Sequence, residues 1–290
     1  MAAGGTASPP TEAMRRGVSR GLFVAVVVVV AVIMLAAGLY VGKTVLGSTS
    51  ASSKPFVVGT NVPFDPFEDY NTTTKAYFGF DIAFAGMIAA AEHRTLLITN
   101  YADFDALLTD AGAGVFDMAA SAITESGSVG AGRNISMSFS APYFEANQAL
   151  LVKSSSSITC VASGCTVAVM APLKIGLQSG TSSADWANSY LKNNETTGTI
   201  TEFQSVDTEV TALEAGALDA VIIDTGPAAS YAAGSSGALR VAGVIHTGEL
   251  YGFAVAHGDP NDYVPVINGV IETAMQNGTY QKMVTYWGLG

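Results

Sequence analysis

Arg133 is the single basic side chain in SAITESGSVGAGRNISMSFSAPY, residues 121–143, a run built mostly of Ser, Gly, Ala and Thr. Glycines and small hydroxyl residues let N–H and O–H groups approach a bound anion closely. A guanidinium can then grip a carboxylate through two parallel hydrogen bonds. The segment is therefore a candidate cradle for the carboxylate of a small ligand; a surface loop with Arg133 in water is the alternative. Asp224 ends the apolar run AVIID. Open α/β sheets bind ligands at the carboxyl ends of their strands, so an acid there could neutralise an ammonium group. It could equally cap a helix over PAASYAA, because Asp before Gly226 and Pro227 caps well. Cys160 and Cys165, in CVASGC, are the only cysteines. A disulfide closing this short loop is expected outside the membrane, with two buried thiols as the alternative. His93, His246 and His257 are scattered without a Cys or carboxylate at ligand spacing, so neither a metal site nor a cofactor is expected. Phe64 and Phe67 flank Pro66 and form either a wall for a ligand or simple packing.

The elements that must hold these residues alternate between strand and helix. Phe56–Val58 reads as a first strand ended by Gly59, and a turn-rich stretch follows. In FDIAFAGMIAAAEHR, Ile82, Ala85, Ile88 and Ala89 recur at helical spacing, and LLITN is strand material. A helix carrying Phe104, Leu107 and Leu108 stops at Gly112 and Gly114, and VFDMAAS runs on as a buried strand. The alternation then repeats: LKIGLQSG as strand, SSADWANSYLKNN as a helix capped by Ser182 or Ser183, ITEFQS as strand, TEVTALEAG as a helix capped by Asp207, and DAVIID as strand. Val264, Ile267, Val270 and Ile271 mark a terminal helical pair. Two α/β lobes of similar design are predicted.

The 290 residues are 49% hydrophobic, ample for a core, and the formal net charge is −11. Arg15, Arg16, Arg20 and Lys43 sit in the first fifty residues against Glu12 alone, leaving nine basic side chains against twenty-three acidic ones afterwards. An acidic body without a basic stripe argues against nucleic acid. Residues 22–42, LFVAVVVVVAVIMLAAGLYVG, are uncharged and long enough to span a bilayer as a helix, with the arginines before them setting a cytoplasmic tail. A retained anchor is favoured over a cleaved signal peptide because the apolar run and its leader are long. Residues 43–54 read as a linker.

Several motifs occur in a telling order: GTNVPFDPF, GFDIAFAGMIA, FDMAASAIT with FSAPY, LQSGTSS, LEAGALDAVIID and NGTYQKMVTYWG. Through them the chain from Phe56 to Gly290 resembles the periplasmic amino-acid-binding proteins, family 3 of the extracellular solute-binding proteins of ABC importers. The resemblance implies an α/β, two-lobed periplasmic-binding-protein (Venus-flytrap) fold with two hinge strands, near 148–153 and 251–256. Lobe 1 would comprise residues 55–149 and 254–290, and lobe 2 residues 150–253, preceded here by one transmembrane helix. The resemblance also implies a ligand set. Arg133, at the matching distance before Phe139 but in a loop about four residues longer than usual, takes the α-carboxylate with Ser121 and Thr124. Thr181 and Ser182 close on it from the second lobe, Gln178 lies in the adjoining wall, and Asp224 takes the α-ammonium. Phe64 matches the aromatic that stacks on the ligand side chain. Asn61 stands where binders of basic amino acids often carry an acid, so a polar or uncharged amino acid is expected. The implied protein is a monomeric, single-pass plasma-membrane binder with its C-terminal domain extracytoplasmic, serving an ABC permease in the same membrane. A sensing subunit and a dehydratase-like enzyme using Glu125 as general acid are the alternatives.

Overall fold

The structure is a computed structural model that describes residues 54–192 and 197–290. The expected tail and anchor lie outside the described residues. Among those described, no helix is long and apolar enough to cross a membrane.

The first strand, β1 (Phe56–Thr60), is followed by a hairpin of β2 (Asp69–Asn71) and β3 (Ala76–Phe78), the helix α1 (Phe80–Ala91), β4 (Leu96–Asn100) and α2 (Phe104–Ala113). Asp103 caps α2 by accepting from Ala106 N–H, and Gly114 ends it at φ 69°, a left-handed turn suited to glycine. Next come β5 (Met118–Ala119), α3 (Gly127–Arg133) and β6 (Met137–Phe139). The chain then enters a second sheet through β7 (Phe144–Lys153), followed by α4 (Val167–Met170), β8 (Lys174–Gln178), α5 (Ser182–Tyr190), β9 (Thr199–Phe203), α6 (Val206–Glu214), β10 (Ala220–Asp224), α7 (Thr225–Gly234) and β11 (Leu239–Tyr251). It returns through β12 (Ala254–Ala256) and finishes with α8 (Tyr263–Gln276) and α9 (Thr279–Tyr286).

The two lobes each hold a five-stranded mixed sheet, ordered β4-β1-β5-β12-β6 in one and β11-β7-β10-β8-β9 in the other. In the first, β1 runs parallel to β4 and β5; in the second, β8 runs parallel to β9 and β10. Buried aromatic rings brace the crossing between the sheets. Tyr143 stacks on Phe253 at 4.2 Å, and Phe67 meets Phe144 and Tyr251 edge-on at 5.1 and 5.2 Å. Tyr143 N–H donates to Tyr251 O at 2.9 Å, and Ser140 N–H to Phe253 O at 2.9 Å. Each fully buried ring stabilises this crossing by about 1.5–3 kcal/mol. In the second lobe Cys160 and Cys165 are joined as a disulfide.

Three local expectations are corrected. Thr181, rather than Ser182 or Ser183, caps α5, accepting from Ala184 N–H at 3.3 Å. The N-cap of α6 is Ser205, with Asp207 in the first turn. The segment before Arg133 is a helix rather than a loop. Gly130 serves close approach: a Cβ on it would lie 1.8 Å from the Glu125 carbonyl oxygen.

Candidate ligand cleft between the lobes

The parallel strands of both sheets end toward one cleft. Asn61 follows β1, Ser121–Thr124 follow β5, Gln178 ends β8 and Asp224 ends β10. All nine residues expected to hold the ligand line one cavity: Asn61, Phe64, Ser121, Thr124, Arg133, Gln178, Thr181, Ser182 and Asp224. Glu68, Phe104 and Ala122 complete its wall.

The helix α3 carries Arg133 at its last turn and returns it to the cleft, 9% exposed. Its Nη1 donates to Thr124 O at 2.8 Å, its Nη2 donates to Gly180 O across the cleft at 2.9 Å, and the guanidinium lies 5.6 Å from the Phe104 ring centre. Burial lowers its basicity, opposed by the fields of Asp185, Glu249, Asp224 and Asp105. Three further contacts cross the cleft. Gln178 Nε2 donates to Asn61 Oδ1 at 2.9 Å, the Thr124 and Ser182 hydroxyls lie 3.3 Å apart, and Ser179 Oγ donates to Asp105 Oδ2 at 3.0 Å. These contacts hold the lobes together around a cavity of about 20 Å³.

Asp224 stands at the N-cap of α7 but makes no side-chain capping bond. Its carboxylate instead accepts from Tyr251 O–H and faces the cavity. Burial and the neighbouring Glu249 push it up to about 7, against hydrogen bonds from Tyr251 and Gln148.

Sequence reasoning missed Glu68 and Phe104. Phe104 was legible only as an apolar position of a helix, yet as the first residue of α2 it flanks the cleft under Arg133. Glu68 lay in a stretch read as turns. It is fully buried, with Ser121 Oγ donating to its Oε1 at 2.9 Å and no partner for its Oε2. Burial pushes it well above the usual carboxylate range, and Asp81 adds to this. The signal available was an acid directly after apolar Phe67 in the loop that already held Asn61 and Phe64. Ala122 N–H donates to Asp81 Oδ2 at 2.9 Å from a left-handed backbone, φ 46°. For a non-glycine residue that is strain held in place by the surrounding site. Glu125 does not line the cavity; its Cγ packs toward Gly252 at the crossing.

A two-lobed α/β protein whose cleft sets a guanidinium on one lobe against a carboxylate on the other has the make-up of a solute-binding clamshell. The model of the bacterial extracellular solute-binding proteins, family 3, matches residues 56–290, and the chain belongs to that family. It is 28% identical over 244 residues to a probable histidine-binding protein of Neisseria gonorrhoeae, covering 83% of this chain and 86% of the relative. Among solved structures it is similar to an ancestral arginine-binding protein bound to arginine, at 26% identity and a TM-score of 0.72, covering 81% and 99% of the two chains. It is also similar to an ancestral arginine-binding protein bound to glutamine, at 26% identity and a TM-score of 0.71, covering 80% and 97%. The placement as a single-pass plasma-membrane protein is corrected: the family match supports an extracellular solute-binding domain, and the described residues contain no membrane-spanning helix.

Proposed function

We propose that the protein captures an α-amino acid between its lobes and delivers it to an ABC permease. Supporting this reading, Arg133 and Asp224 face one cavity from opposite lobes. In it the α-carboxylate takes over the Arg133 N–H groups now given to protein carbonyls, with Thr181, Ser182 and the N-terminal N–H groups of α5 beside it. The α-ammonium pairs with Asp224. Each charge-assisted hydrogen bond contributes about 1.5–3 kcal/mol net. Three or four of them offset closure and reach the roughly −8 kcal/mol of a micromolar binder.

For the side chain, the polar or uncharged preference drawn from Asn61 meets a contrary observation. The zwitterion uses Arg133 and Asp224 one for one, leaving Glu68 as a further buried carboxyl with an unpartnered oxygen. A cationic side chain between Phe64 and Phe104 would satisfy that oxygen. A basic amino acid is therefore the ligand we favour, in keeping with the histidine and arginine named for the relatives. Glu125, the general acid named for the dehydratase-like alternative, stands outside the cavity wall. Calorimetric titration with the twenty amino acids tests the reading: tightest binding by Arg, Lys or His supports it, and tightest binding by a neutral amino acid returns the ligand to the uncharged class.

A further inference from the structure

Glu249 is a buried acid beside the cleft whose two oxygens are both held by side-chain donors. On β11, 7% exposed, it accepts from Thr124 Oγ1 at 2.7 Å and from Gln148 Nε2 at 3.0 Å. Among the described residues it makes no salt bridge. A glutamine could link Thr124 and Gln148 without burying a carboxylate, so the acid is better explained by its field, which falls on Arg133 and on Asp224. What the charge does is act on Asp224. Glu249 stands two residues before Tyr251 on the same strand, and Tyr251 donates to Asp224.

We propose that Glu249 is a positioning residue that acts through Asp224, making capture of the ligand's ammonium group an exchange for a proton held on Asp224. This rests on the amino-acid reading above. As the ammonium docks, the Asp224 O–H bond breaks, its proton passes to bulk solvent, and the carboxylate pairs with the ligand. The groups facing Asp224 favour this exchange. Glu249 and Tyr251 come from β11, Gln148 from β7, Glu209 from α6, Glu68 from the loop before β2, and Arg133 from α3. Glu209 is fully buried with both oxygens unpartnered, and burial together with Asp224 keeps its proton on. Arg133, the sole cation of the set, already donates to two carbonyls. Burial first and Glu249 second bring Asp224 to about 7, where the exchange becomes visible near neutral pH.

The test is titration of the full chain with L-arginine, whose charges stay fixed over the range, in buffers of low and high ionisation heat from about pH 5 to about pH 8. Expected for the parent is a proton release from Asp224 that approaches one at acid pH and fades above neutrality, on top of any from Glu68, with affinity falling at least about tenfold per pH unit below about pH 7. Glu249→Gln keeps an acceptor for Thr124 and removes the charge. It should move the break in the pH profile to lower pH and reduce proton release at about pH 6, whatever its absolute affinity. A residue that only braced the crossing would lower affinity by one factor at every pH, and that result overturns the proposal. Glu68 can also shed a proton, but it is unchanged between parent and variant, so the difference reports on Asp224. Glu209→Gln should follow the parent profile; a shift as large as that of Glu249→Gln would transfer the role to Glu209 and overturn the assignment. Arginine binding with equal heats in both buffers and no pH dependence overturns the proton exchange alone. Failure of all twenty amino acids to bind overturns the reading beneath it.

Discussion

Replacing Glu68 by Gln exchanges one oxygen for an amide nitrogen at nearly constant volume. Ser121 Oγ donates to Oε1 at 2.9 Å, so an amide carbonyl keeps that bond, and Oε2, buried and unpartnered, is the atom lost. A cationic side chain bonded to Oε2 would forfeit a charge-assisted hydrogen bond worth about 1.5–3 kcal/mol. That corresponds to roughly 10–150-fold in Kd, toward the upper end because an amide N–H would then face a cation. Ligands without a basic side chain lose nothing by the same argument. Titration calorimetry of parent and Glu68→Gln with L-arginine and L-glutamine should therefore show the arginine preference collapsing while glutamine affinity holds. Thermal unfolding without ligand should find the variant at least as stable near neutral pH, because a buried acid pushed well up has become a neutral amide. Equal losses for both ligands, or no loss for arginine, would refute the contact with Glu68.

Closure has its own handle. Gly180 adopts φ +73°, and a Cβ there would lie 2.0 Å from Asp105 Oδ1 on the facing lobe. Gly180→Ala should weaken binding by about tenfold or more through blocked closure and backbone strain of about 1–3 kcal/mol, and adding Asp105→Ala should restore part of it. An unchanged Kd would mean that the ligand-bound lobes do not meet there. A further expectation concerns pH without ligand. Asp81 and Asp224 are raised from 3.8 to about 7, chiefly by burial. The folded protein therefore keeps protons that the unfolded chain has lost, so this contribution favours the fold below about pH 4 and is lost as pH rises to about 7. Urea unfolding at intervals across that window should show stability falling by on the order of a few kcal/mol. Stability that rises through the window would contradict the burial of these acids.

Much of this architecture can be read where an apolar period coincides with a whole element. LLITN is β4 residue for residue, and AVIID is β10. The α3 helix was hidden because Gly127, Ser128, Gly130 and Gly132 are poor helix formers, while the close approach of Gly130 to the Glu125 backbone, which a side chain would block, shows only in three dimensions. Arg133 was still recoverable, as the lone basic side chain of its run and through the resemblance that places an arginine shortly before Phe139. Glu68 and Glu249 were not. Their roles depend on burial against residues far away in the chain: Ser121 lies 53 positions from Glu68, and Thr124 lies 125 from Glu249. An acid in a turn-rich stretch reads as solvated until tertiary packing removes its water. For Asp224 the sequence left two roles open; its carboxylate is turned from the helix it precedes toward Tyr251, 27 residues on.

The account turns on a zwitterion held between Arg133 and Asp224. Its most direct test is titration of parent, Arg133→Ala and Asp224→Asn with L-arginine, each variant first shown to be folded by circular dichroism. Loss of two charge-assisted bonds at Arg133 predicts a fall of about 3–6 kcal/mol, at least roughly 100-fold in Kd. Asp224→Asn should lose at least about tenfold. Parental affinity in both variants would contradict the account.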